Sequence, residues 1–322
     1  MKKREYIFLA SCLIGLSTLS CKNESNSGKD SYLLLDSKLP CMIPEIFAPD
    51  RISRANRFEQ YASFSPDGKA FYFSYTDSAW GKSTIIQIDV NDPSREQKLV
   101  LVKSDYQSGQ FVDHSGKGFY FTAIIPENGF WQSDIFMAEK KGNSLNRIKK
   151  LDPPVNSYIC EWHPTITETG ILYFASERNY DHGIADIYKA LPGKEKGNYD
   201  KVEKLASIIN SEYNETDPLI APDESFLIFA SNRPNGVSGP DMYLRPNGYD
   251  ELDLYISFNR GNTGWSVPKN MGTAVNTDSW EFAPALSPDQ KYLFFTRREA
   301  FNTLDPSKIY WIDCAIIDKL RD

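Results

Sequence analysis

Residues 59–73 read EQYASFSPDGKAFYF, and this stretch decides the fold. It starts with an acidic residue, passes through a Ser-Pro-Asp-Gly turn and ends in a run of aromatics. Pro fixes φ at the second turn position and Gly accepts a positive φ, so the stretch predicts a β-hairpin. The pattern occurs four more times, as QSGQFVDHSGKGFYF (107–121), EWHPTITETGILYF (161–174), ETDPLIAPDESFLIF (215–229) and EFAPALSPDQKYLFF (281–295).

The five copies share one register. In each copy, the first residue lies nine positions before the last turn position, which is Gly68, Gly116, Gly170, Glu224 or Gln290. A third strand is predicted after every hairpin, and a shorter fourth strand after the first four. Four antiparallel strands, repeated every 48 to 66 residues, are typical of the blades of a propeller.

The ends of the repeat region predict how the ring closes. The fifth unit stops after its third strand, and the apolar run PEIFAP at 44–49 precedes the first unit. An N-terminal strand that completes the last blade leaves no open sheet edge. We therefore predict an all-β propeller of five four-stranded blades, closed by that strand. Six blades are the alternative, because residues 234–250 enlarge the fourth unit and could hold further strands.

Composition excludes one class of partner. Lys and Arg number 36 against 43 Asp and Glu, so the formal net charge is −7. An acidic protein is poorly suited to binding phosphate backbones, and we expect no nucleic-acid partner.

The N-terminus has the pattern of a bacterial lipoprotein signal. Basic residues at positions 2–4 precede an apolar stretch at 6–19, and Cys21 follows. Thr18 stands where the lipoprotein box has an aliphatic residue. Cleavage before Cys12, or at a plain secretory site, is therefore an alternative. The sequence predicts lipidation of Cys21.

These segments predict the domain organisation and the cellular location of the protein. Residues 1–20 would be the signal peptide, 21–40 the lipidated cysteine and a flexible tether, and 41–322 the propeller domain. Residues 22–30 contain no apolar side chain, which suits a tether. The expected location is the bacterial outer membrane, on the periplasmic or cell-surface side, with membrane contact through the lipid anchor only.

Several motifs resemble the WD-like propeller repeats of the TolB type. They are the SPDG turn at 65–68, the SPDQ variant at 287–290, the F-A-S-x-R endings at 174–178 and 229–233, and the D-I-Y and D-L-Y strands. The resemblance covers about residues 44–317 and is closest to envelope lipoproteins built from this repeat alone. It implies a non-enzymatic propeller near peptidoglycan-associated or outer-membrane proteins. The second repeat departs from the pattern, with Asp113-His-Ser-Gly at the turn and Gln107 in place of the acid.

The candidate site is a polar ring at one mouth of the central channel. The first strand of each blade lines the channel, so the repeated acidic or amide residues should meet there and could bind a cation or a sugar. Three Asn residues precede them by five positions, and two Trp residues flank the ring and could stack on a ligand. The alternative is that all are structural hydrogen-bonding devices of the repeat. The ring candidates are Glu59, Gln107, Glu161, Glu215, Glu281, Asn156, Asn210, Asn276, Trp162 and Trp280.

Three further expectations concern single side chains. Arg178 and Arg233, at one repeat position, could meet a carboxylate of a ligand or of the neighbouring blade, and we expect the neighbouring blade. His163 is the one histidine on a channel strand that merits a test. Pairing of the last strand with the segment from Cys41 would bring Cys41 and Cys314 within disulfide reach, leaving Cys160 as a buried thiol.

The function expected from the sequence is non-catalytic binding or scaffolding of envelope proteins or glycans, as a monomer or as a subunit of a larger complex. The sequence has no G-x-S-x-G, H-E-x-x-H or C-x-x-C motif, and we predict no cofactor and no metal site. The alternative is a glycan-active hydrolase that uses carboxylates at the channel mouth. Enzymatic activity is left open, with the binding role favoured.

Overall fold

The computed structural model describes residues 35, 38–55, 57–76, 82–126, 132–179, 184–233, 252–298 and 306–321. Within them the chain is all-β, with 20 strands, a 3-10 helix (Gly261–Thr263) and one short α-helix, α1 (Ala315–Leu320). The strands are β1 (Glu45–Ile46), β2 (Phe58–Phe64), β3 (Ala70–Thr76), β4 (Ser83–Asp89), β5 (Asp92–Leu99), β6 (Tyr106–Val112), β7 (Gly118–Ile124), β8 (Ser133–Lys141), β9 (Ser144–Lys150), β10 (Glu161–Ile166), β11 (Leu172–Ser176), β12 (Asp186–Pro192), β13 (Tyr199–Lys204), β14 (Glu215–Ile220), β15 (Phe226–Ser231), β16 (Asp253–Phe258), β17 (Lys269–Asn270), β18 (Trp280–Leu286), β19 (Tyr292–Arg298) and β20 (Lys308–Asp313).

Consecutive strands pair into antiparallel sheets. β10 to β13 form one sheet and β14 to β17 another. β2 to β5 and β6 to β9 are two further sets of four, and a parallel bridge between Ser83 and Tyr106 joins them into one eight-stranded sheet. In the last sheet β1 is added to β18, β19 and β20, with Glu45 opposite Trp311.

Every repeated hairpin turns through a residue with a left-handed backbone. The φ angles are 68° at Gly68 and Gly116, 89° at Gly170, and 59° at Glu224 and Gln290. In the first turn, Gly68 N donates to Ser65 O at 2.8 Å, and Ser65 Oγ donates to the Asp67 carboxylate at 2.6 Å. The five turn positions predicted from the sequence therefore have the same backbone conformation.

A second left-handed residue recurs on the first strand of each hairpin, two positions after the repeated Glu or Gln. The φ angles are 57° at Tyr61, 58° at Gly109, 52° at His163, 49° at Asp217 and 51° at Ala283. The strand pairing shifts register at each of these points. Each is thus a β-bulge, which bends the strand and redirects a side chain. Four of the five residues are not glycine.

The first and last sheets are in direct contact. Phe47, just after β1, is fully buried and meets Phe71 of β3, Phe294 of β19 and Trp311 of β20 edge-on, with ring centroids 5.0 to 5.3 Å apart. Tyr61 N also donates to Thr296 Oγ1 at 3.2 Å across the same boundary. Aromatic packing and polar contacts thus join the two ends of the chain.

The predicted Cys41–Cys314 disulfide is wrong. Cys314 is a free thiol, whereas Cys41 is disulfide-bonded. The two segments do meet, because Asp313 N donates to Cys41 O at 3.0 Å. The chain then turns into α1 at Cys314, whose side chain packs against a hydrophobic cluster. Cys160 is also a free thiol, but it is half-buried rather than fully buried.

Some predictions fall on other parts of the chain. The signal peptide, Cys21, most of the 21–40 tether and the enlargement at 234–250 lie outside the described residues. Across the part that the structure describes, no helix has the length and apolar character needed to span a membrane.

Candidate functional site

The four repeated carboxylates are completely buried. Glu59, Glu161, Glu215 and Glu281 are each 0% exposed, and each lies at or beside the start of the first strand of its sheet. A buried carboxylate needs hydrogen-bond donors around it. The donors around these four carboxylates therefore determine whether the carboxylates can bind a ligand.

Glu215 illustrates the arrangement. Its Oε2 accepts from Ser211 N at 2.8 Å, and its Oε1 accepts from Ser211 Oγ at 2.7 Å and Ser231 Oγ at 3.0 Å. Arg233 Nη2 adds an ion pair to Oε1 at 2.8 Å. The carboxylate thus ties the loop before its strand to the end of the next strand.

Two other carboxylates repeat this network. Glu161 accepts from Ser157 N and Oγ at 2.9 and 2.6 Å, and Arg178 lies 3.2 Å away. Glu281 accepts from Thr277 N and Oγ1 at 3.1 and 2.7 Å, and Arg297 Nε lies 2.7 Å away. The repeated Glu is therefore a structural clasp within its own sheet.

The first sheet uses different cations for the same purpose. Glu59 pairs with Arg57 Nε at 2.7 Å and with Lys308 Nζ at 3.1 Å. Lys308 belongs to β20, so this carboxylate also links the first and last sheets. Arg57 comes from before the strand, whereas Arg233 comes from after the following one.

Each clasp arginine lies over an aromatic ring. The guanidinium carbon is 4.9 Å from the Phe73 ring centroid for Arg57, and 5.1 Å from Phe229 for Arg233. Arg178 and Arg297 stack in the same way. Because these side chains run back over their own hairpin, they meet the carboxylate of the same sheet. The expectation that Arg178 and Arg233 pair with the neighbouring blade is therefore wrong.

The three repeated Asn side chains bond backbone groups of the sheet that precedes them in the chain. Asn210 Oδ1 accepts from Ile187 N at 2.8 Å, and its Nδ2 donates to Ile187 O and Leu205 O at 2.9 and 3.0 Å. Asn156 makes the same three bonds to Ile135 and Leu151. Asn276 likewise bonds both backbone groups of Leu254. All three lie between sheets rather than at an open surface, with at most 4% exposure.

Burial raises the pKa of the clasp carboxyls. The pKa of Glu281 rises to about 7, because desolvation outweighs the lowering by Thr277 and Arg297. The pKa values of Glu161 and Glu215 are raised for the same first cause, against the lowering by Ser157 and Ser211. The shift follows from burial common to three sheets, not from a special environment at one residue.

The remaining ring candidates are also engaged. Gln107 Oε1 accepts from Leu101 N and Val102 N at 3.1 and 3.3 Å. Trp162 Nε1 donates to Glu177 at 3.1 Å, and Trp280 is 7% exposed within a hydrophobic cluster. The polar ring expected at the channel mouth is thus taken up by contacts within the fold.

An open cavity of about 250 Å³ lies away from these carboxylates. It is lined by the later halves of β2, β6, β10, β14 and β18 and by the hairpin turns that follow them. None of the clasp carboxylates lines it. The five bulge residues do line it, so the bulges shape this cavity.

Three bulge side chains meet on the floor of this cavity. His163 Nδ1 contacts Asp217 Oδ1, and the imidazole stacks on Tyr61 with centroids 4.7 Å apart. Gly109 makes room for this contact, because a Cβ there would lie 2.8 Å from His163 Cδ2. His163 is 13% exposed and Asp217 is 4% exposed at the side chain. The three groups form a largely buried polar cluster.

Tyr61 has a strongly perturbed hydroxyl. Its pKa is raised well above the usual value, because the group is desolvated and lies close to Tyr106 and Asp217. It remains protonated and hydrogen-bonded to Tyr106. Tyr61 therefore contributes a neutral group to the floor.

Sequence reasoning found His163 but missed Tyr61 and Asp217. All three lie two residues after the repeated Glu, so the register contained the signal. The residue types do not predict the bulge, because only Gly109 among the five residues favours a positive φ. Within the described residues, no group of His, Cys, Asp and Glu is arranged to hold a metal ion.

The comparisons with known proteins support a fold and do not identify a family. No protein-family model and no curated protein matches the chain. Among solved structures, TolB from Acinetobacter baumannii is 14% identical with a TM-score of 0.46, and the match covers 79% of this chain and 54% of that one. This chain thus matches about half the length of that TolB chain.

Glycoside hydrolases are among the similar structures as well. A thermostable family-43 glycoside hydrolase is 13% identical with a TM-score of 0.51, and the match covers 79% of this chain and 88% of the other. A family-43 endo-arabinanase from Bacillus licheniformis is 11% identical with a TM-score of 0.49, over 81% and 95% of the two chains. The chain therefore has a β-propeller fold, which hosts both binding proteins and enzymes.

Proposed function

We propose that this chain is a non-catalytic binding protein of the bacterial cell envelope that takes a protein or glycan ligand at its channel cavity. The observation that carries the proposal is the state of the repeated carboxylates. Glu59, Glu161, Glu215 and Glu281 are fully buried and held by donors of the fold itself. They stabilise the sheets, and the cavity is left as the place where a ligand can enter.

We further propose that the sheets are five blades in a closed ring, of the kind found in TolB-type lipoproteins. In support, β1 adds to the last sheet, and Phe47 and the Tyr61–Thr296 hydrogen bond connect that sheet to the first. The bulges recur five times, once per proposed blade, and line one cavity.

We propose an outer-membrane location from the sequence. A lipid on Cys21 and a polar tether would hold the propeller at the outer membrane while leaving its channel free. Mass spectrometry of the mature N-terminal peptide should find acyl chains on Cys21. A free Ser20 or Lys22 terminus would contradict the anchor.

A glycan hydrolase is the competing proposal, because family-43 glycoside hydrolases share the fold. Glycoside hydrolysis needs two carboxyl groups, roughly 5–9.5 Å apart, on either side of the scissile bond. Among the described cavity residues, Asp217 is the buried carboxylate, and Glu168 is exposed on the turn after β10. We keep the binding role as the proposal because the four repeated carboxylates, which the hydrolase reading would use, are already held by donors of the fold.

A cavity-filling variant tests the proposal. Ala285 lines the cavity and is half-buried, so Ala285→Trp would fill it. Ser94 is exposed on the outer strand β5, so Ser94→Trp is a matched control. Each tagged protein is cross-linked in native envelope extract, and bound proteins and peptidoglycan fragments are identified by mass spectrometry. The wild type and Ser94→Trp should retain a shared ligand that Ala285→Trp loses.

Two results would contradict the proposal. Equal retention by a folded Ala285→Trp protein would remove the cavity as the site. Shortening of the glycan fragments during incubation would establish catalysis.

A further inference from the structure

Positive charge is concentrated in two segments of an otherwise acidic chain. Residues 139–150, which cover the end of β8 and all of β9, carry five Lys and Arg against one Glu. Residues 189–204, which cover the end of β12 and all of β13, carry five Lys against three Asp and Glu. The whole chain has a formal net charge of −7, so the remaining residues are strongly acidic.

Direct contacts make these two segments one continuous surface. Lys149 Nζ of β9 donates to Asn198 Oδ1, in the turn between β12 and β13, at 3.0 Å. A Cβ at Gly197 of that turn would overlap Met137 Sδ of β8, so the turn packs closely on the second set of strands. The outer strands β9 and β13 therefore present their cations side by side.

The surface continues onto the hairpin turn between β6 and β7. Lys196 Nζ, from the turn between β12 and β13, bonds Asp113 Oδ2 at 2.6 Å. Asp113 begins the hairpin turn that contains Lys117, and Lys140 N, near the end of β8, donates to Lys117 O at 2.9 Å. We call the exposed lysines of this surface the basic edge; they are Lys117, Lys141, Lys149, Lys194 and Lys196.

Most cations of the basic edge are available to a partner. Lys117, Lys141 and Lys194 form no ion pair within the residues that the structure describes. Lys149 bonds the neutral amide of Asn198. A Lys ammonium carries three donors on a flexible stem, without the fixed fork of Arg. Such groups suit a surface that bears many anionic groups better than one carboxylate in a fixed orientation.

The basic edge lacks the apolar centre of a protein interface. Stable protein interfaces depend on buried aromatic and apolar anchors, with charged groups at the rim. The exposed large apolar side chains of the described residues lie on other segments, at Ile43, Ile46, Val100, Tyr158, Ile208 and Val267. An anionic membrane surface needs no apolar anchor, because it attracts Lys and Arg through its summed charge.

The N-terminal segment reaches the propeller at the face that carries the basic edge. Asp313 N, at the end of β20, donates to Cys41 O, and Cys314 N donates to Lys291 O in the last hairpin turn. Cys41 therefore lies near that turn, as the end of β8 lies near Lys117. All five hairpin turns line one cavity, so they share one face. A tether that ends at this face would hold the basic edge toward a membrane.

We propose that the basic edge docks on a membrane surface with anionic lipid headgroups, and that the acidic remainder of the protein is turned away from it. The ammonium groups donate to headgroup phosphates and add their charge to the attraction. This inference goes beyond the ligand at the channel cavity and takes only the envelope location from the proposed function. It adds a second membrane contact to the lipid anchor expected from the sequence.

Vesicle binding of the unacylated chain tests the proposal. Residues 21–322 are prepared without an acyl group and floated with phosphatidylcholine vesicles that contain or lack phosphatidylglycerol. At low salt the protein should bind the anionic vesicles at least tenfold more tightly than the neutral ones, and high salt should abolish the difference. The triple variant Lys117→Gln, Lys141→Gln, Lys194→Gln should bind the anionic vesicles at least tenfold more weakly.

A matched variant controls for net charge. Lys98→Gln, Lys103→Gln, Lys319→Gln removes the same charge from exposed positions elsewhere and should bind as the wild type does. Equal binding to neutral vesicles, no binding to either vesicle, or equal losses in the two triple variants would overturn the docking surface. Displacement by inorganic phosphate at constant ionic strength would assign the basic edge to free phosphate instead.

The outcomes separate this inference from the proposed function. Ala285→Trp should bind vesicles as the wild type does, and the basic-edge variant should keep the envelope ligand that Ala285→Trp loses. Failure of vesicle binding would leave the channel cavity as the ligand site. Loss of a protein ligand from the basic-edge variant alone would assign the surface to a protein partner and overturn the membrane contact.

Discussion

At the scale of single residues, the repeated polar side chains act as internal connectors. Asn210 Oδ1 accepts from Ile187 N, and its Nδ2 donates to Leu205 O and to Ile187 O, which also accepts from Leu205 N. Leaving buried backbone groups unsatisfied is expensive, and two groups depend on this side chain here. The side chain is therefore part of the fold rather than of a ligand site.

Asn210→Ala should lower the free energy of unfolding by about 2–4 kcal/mol, because Ile187 N and Leu205 O lose their partner. Asn91→Ala, at an exposed turn after β4, should change it little. Chemical denaturation of both variants measures the difference. Equal effects would contradict the connector role.

The clasp carboxyls make stability depend on pH. The pKa of Glu281 is about 7 in the folded protein, above the ordinary value of 4.5, mainly because of burial. Between these values the folded state binds more protons than the unfolded state. The stabilisation is thus complete below about pH 4.5 and is lost as the pH rises through about 7. Its size is on the order of 3 kcal/mol.

The melting temperature of the wild type should therefore fall between pH 5 and pH 8. The melting temperature of Glu281→Gln should fall less steeply over the same range. Glu161 and Glu215 shift in the same direction, so the variant keeps part of the slope. Calorimetry across this range gives both curves. Parallel curves for the two proteins would mean that Glu281 is ionised throughout.

At the scale of elements, the hairpin turns and the bulges differ in how far sequence predicts them. The turn positions Gly68 and Gln290 follow from local chemistry, because Ser, Pro and Asp favour the turn wherever they occur. The bulges depend on how two strands pair, and residues such as Tyr61 and Asp217 carry no local signal for a positive φ. For the clasp, the sequence repeat shows the carboxylate but not the arginine, because Arg57 and Arg233 reach equivalent carboxylates from different sequence positions.

The bulge at Gly109 can be tested against a matched glycine. Gly109 and Gly142 both have φ of 58°, but an added Cβ at Gly142 meets no atom within 4 Å, whereas at Gly109 it meets His163. Both alanine variants should lose about 1–2 kcal/mol from the left-handed backbone. Gly109→Ala should lose more and should shift the His163 ring signals. Equal losses with unshifted signals would contradict the packing of His163 on Gly109.

At the scale of the whole molecule, the N-terminal segment decides whether the first and last sheets hold together. Phe47 is fully buried among Phe71, Phe294 and Trp311. Phe47→Ala should cost about 3–5 kcal/mol, because it opens a cavity between the sheets. Ile43→Ala, in the same segment but with the residue 75% exposed, should cost little. Comparable small losses would mean that the segment does not support the ring.

The account as a whole depends on the repeated carboxylates being structural. In Glu215→Gln one carboxylate oxygen becomes an NH2 group, which would face either Ser211 N, the donor to Oε2, or Arg233, a donor to Oε1. Glu203→Gln on β13 changes charge equally without touching a clasp and serves as the control.

The most direct measurement pairs a melting curve with an assay for sugar release from purified peptidoglycan and plant polysaccharides. We predict that Glu215→Gln melts several degrees below the wild type and the control, and that none of the three proteins releases sugar. Release by the wild type that Glu215→Gln abolishes, with an unchanged melting temperature, would contradict the structural role and establish a hydrolase.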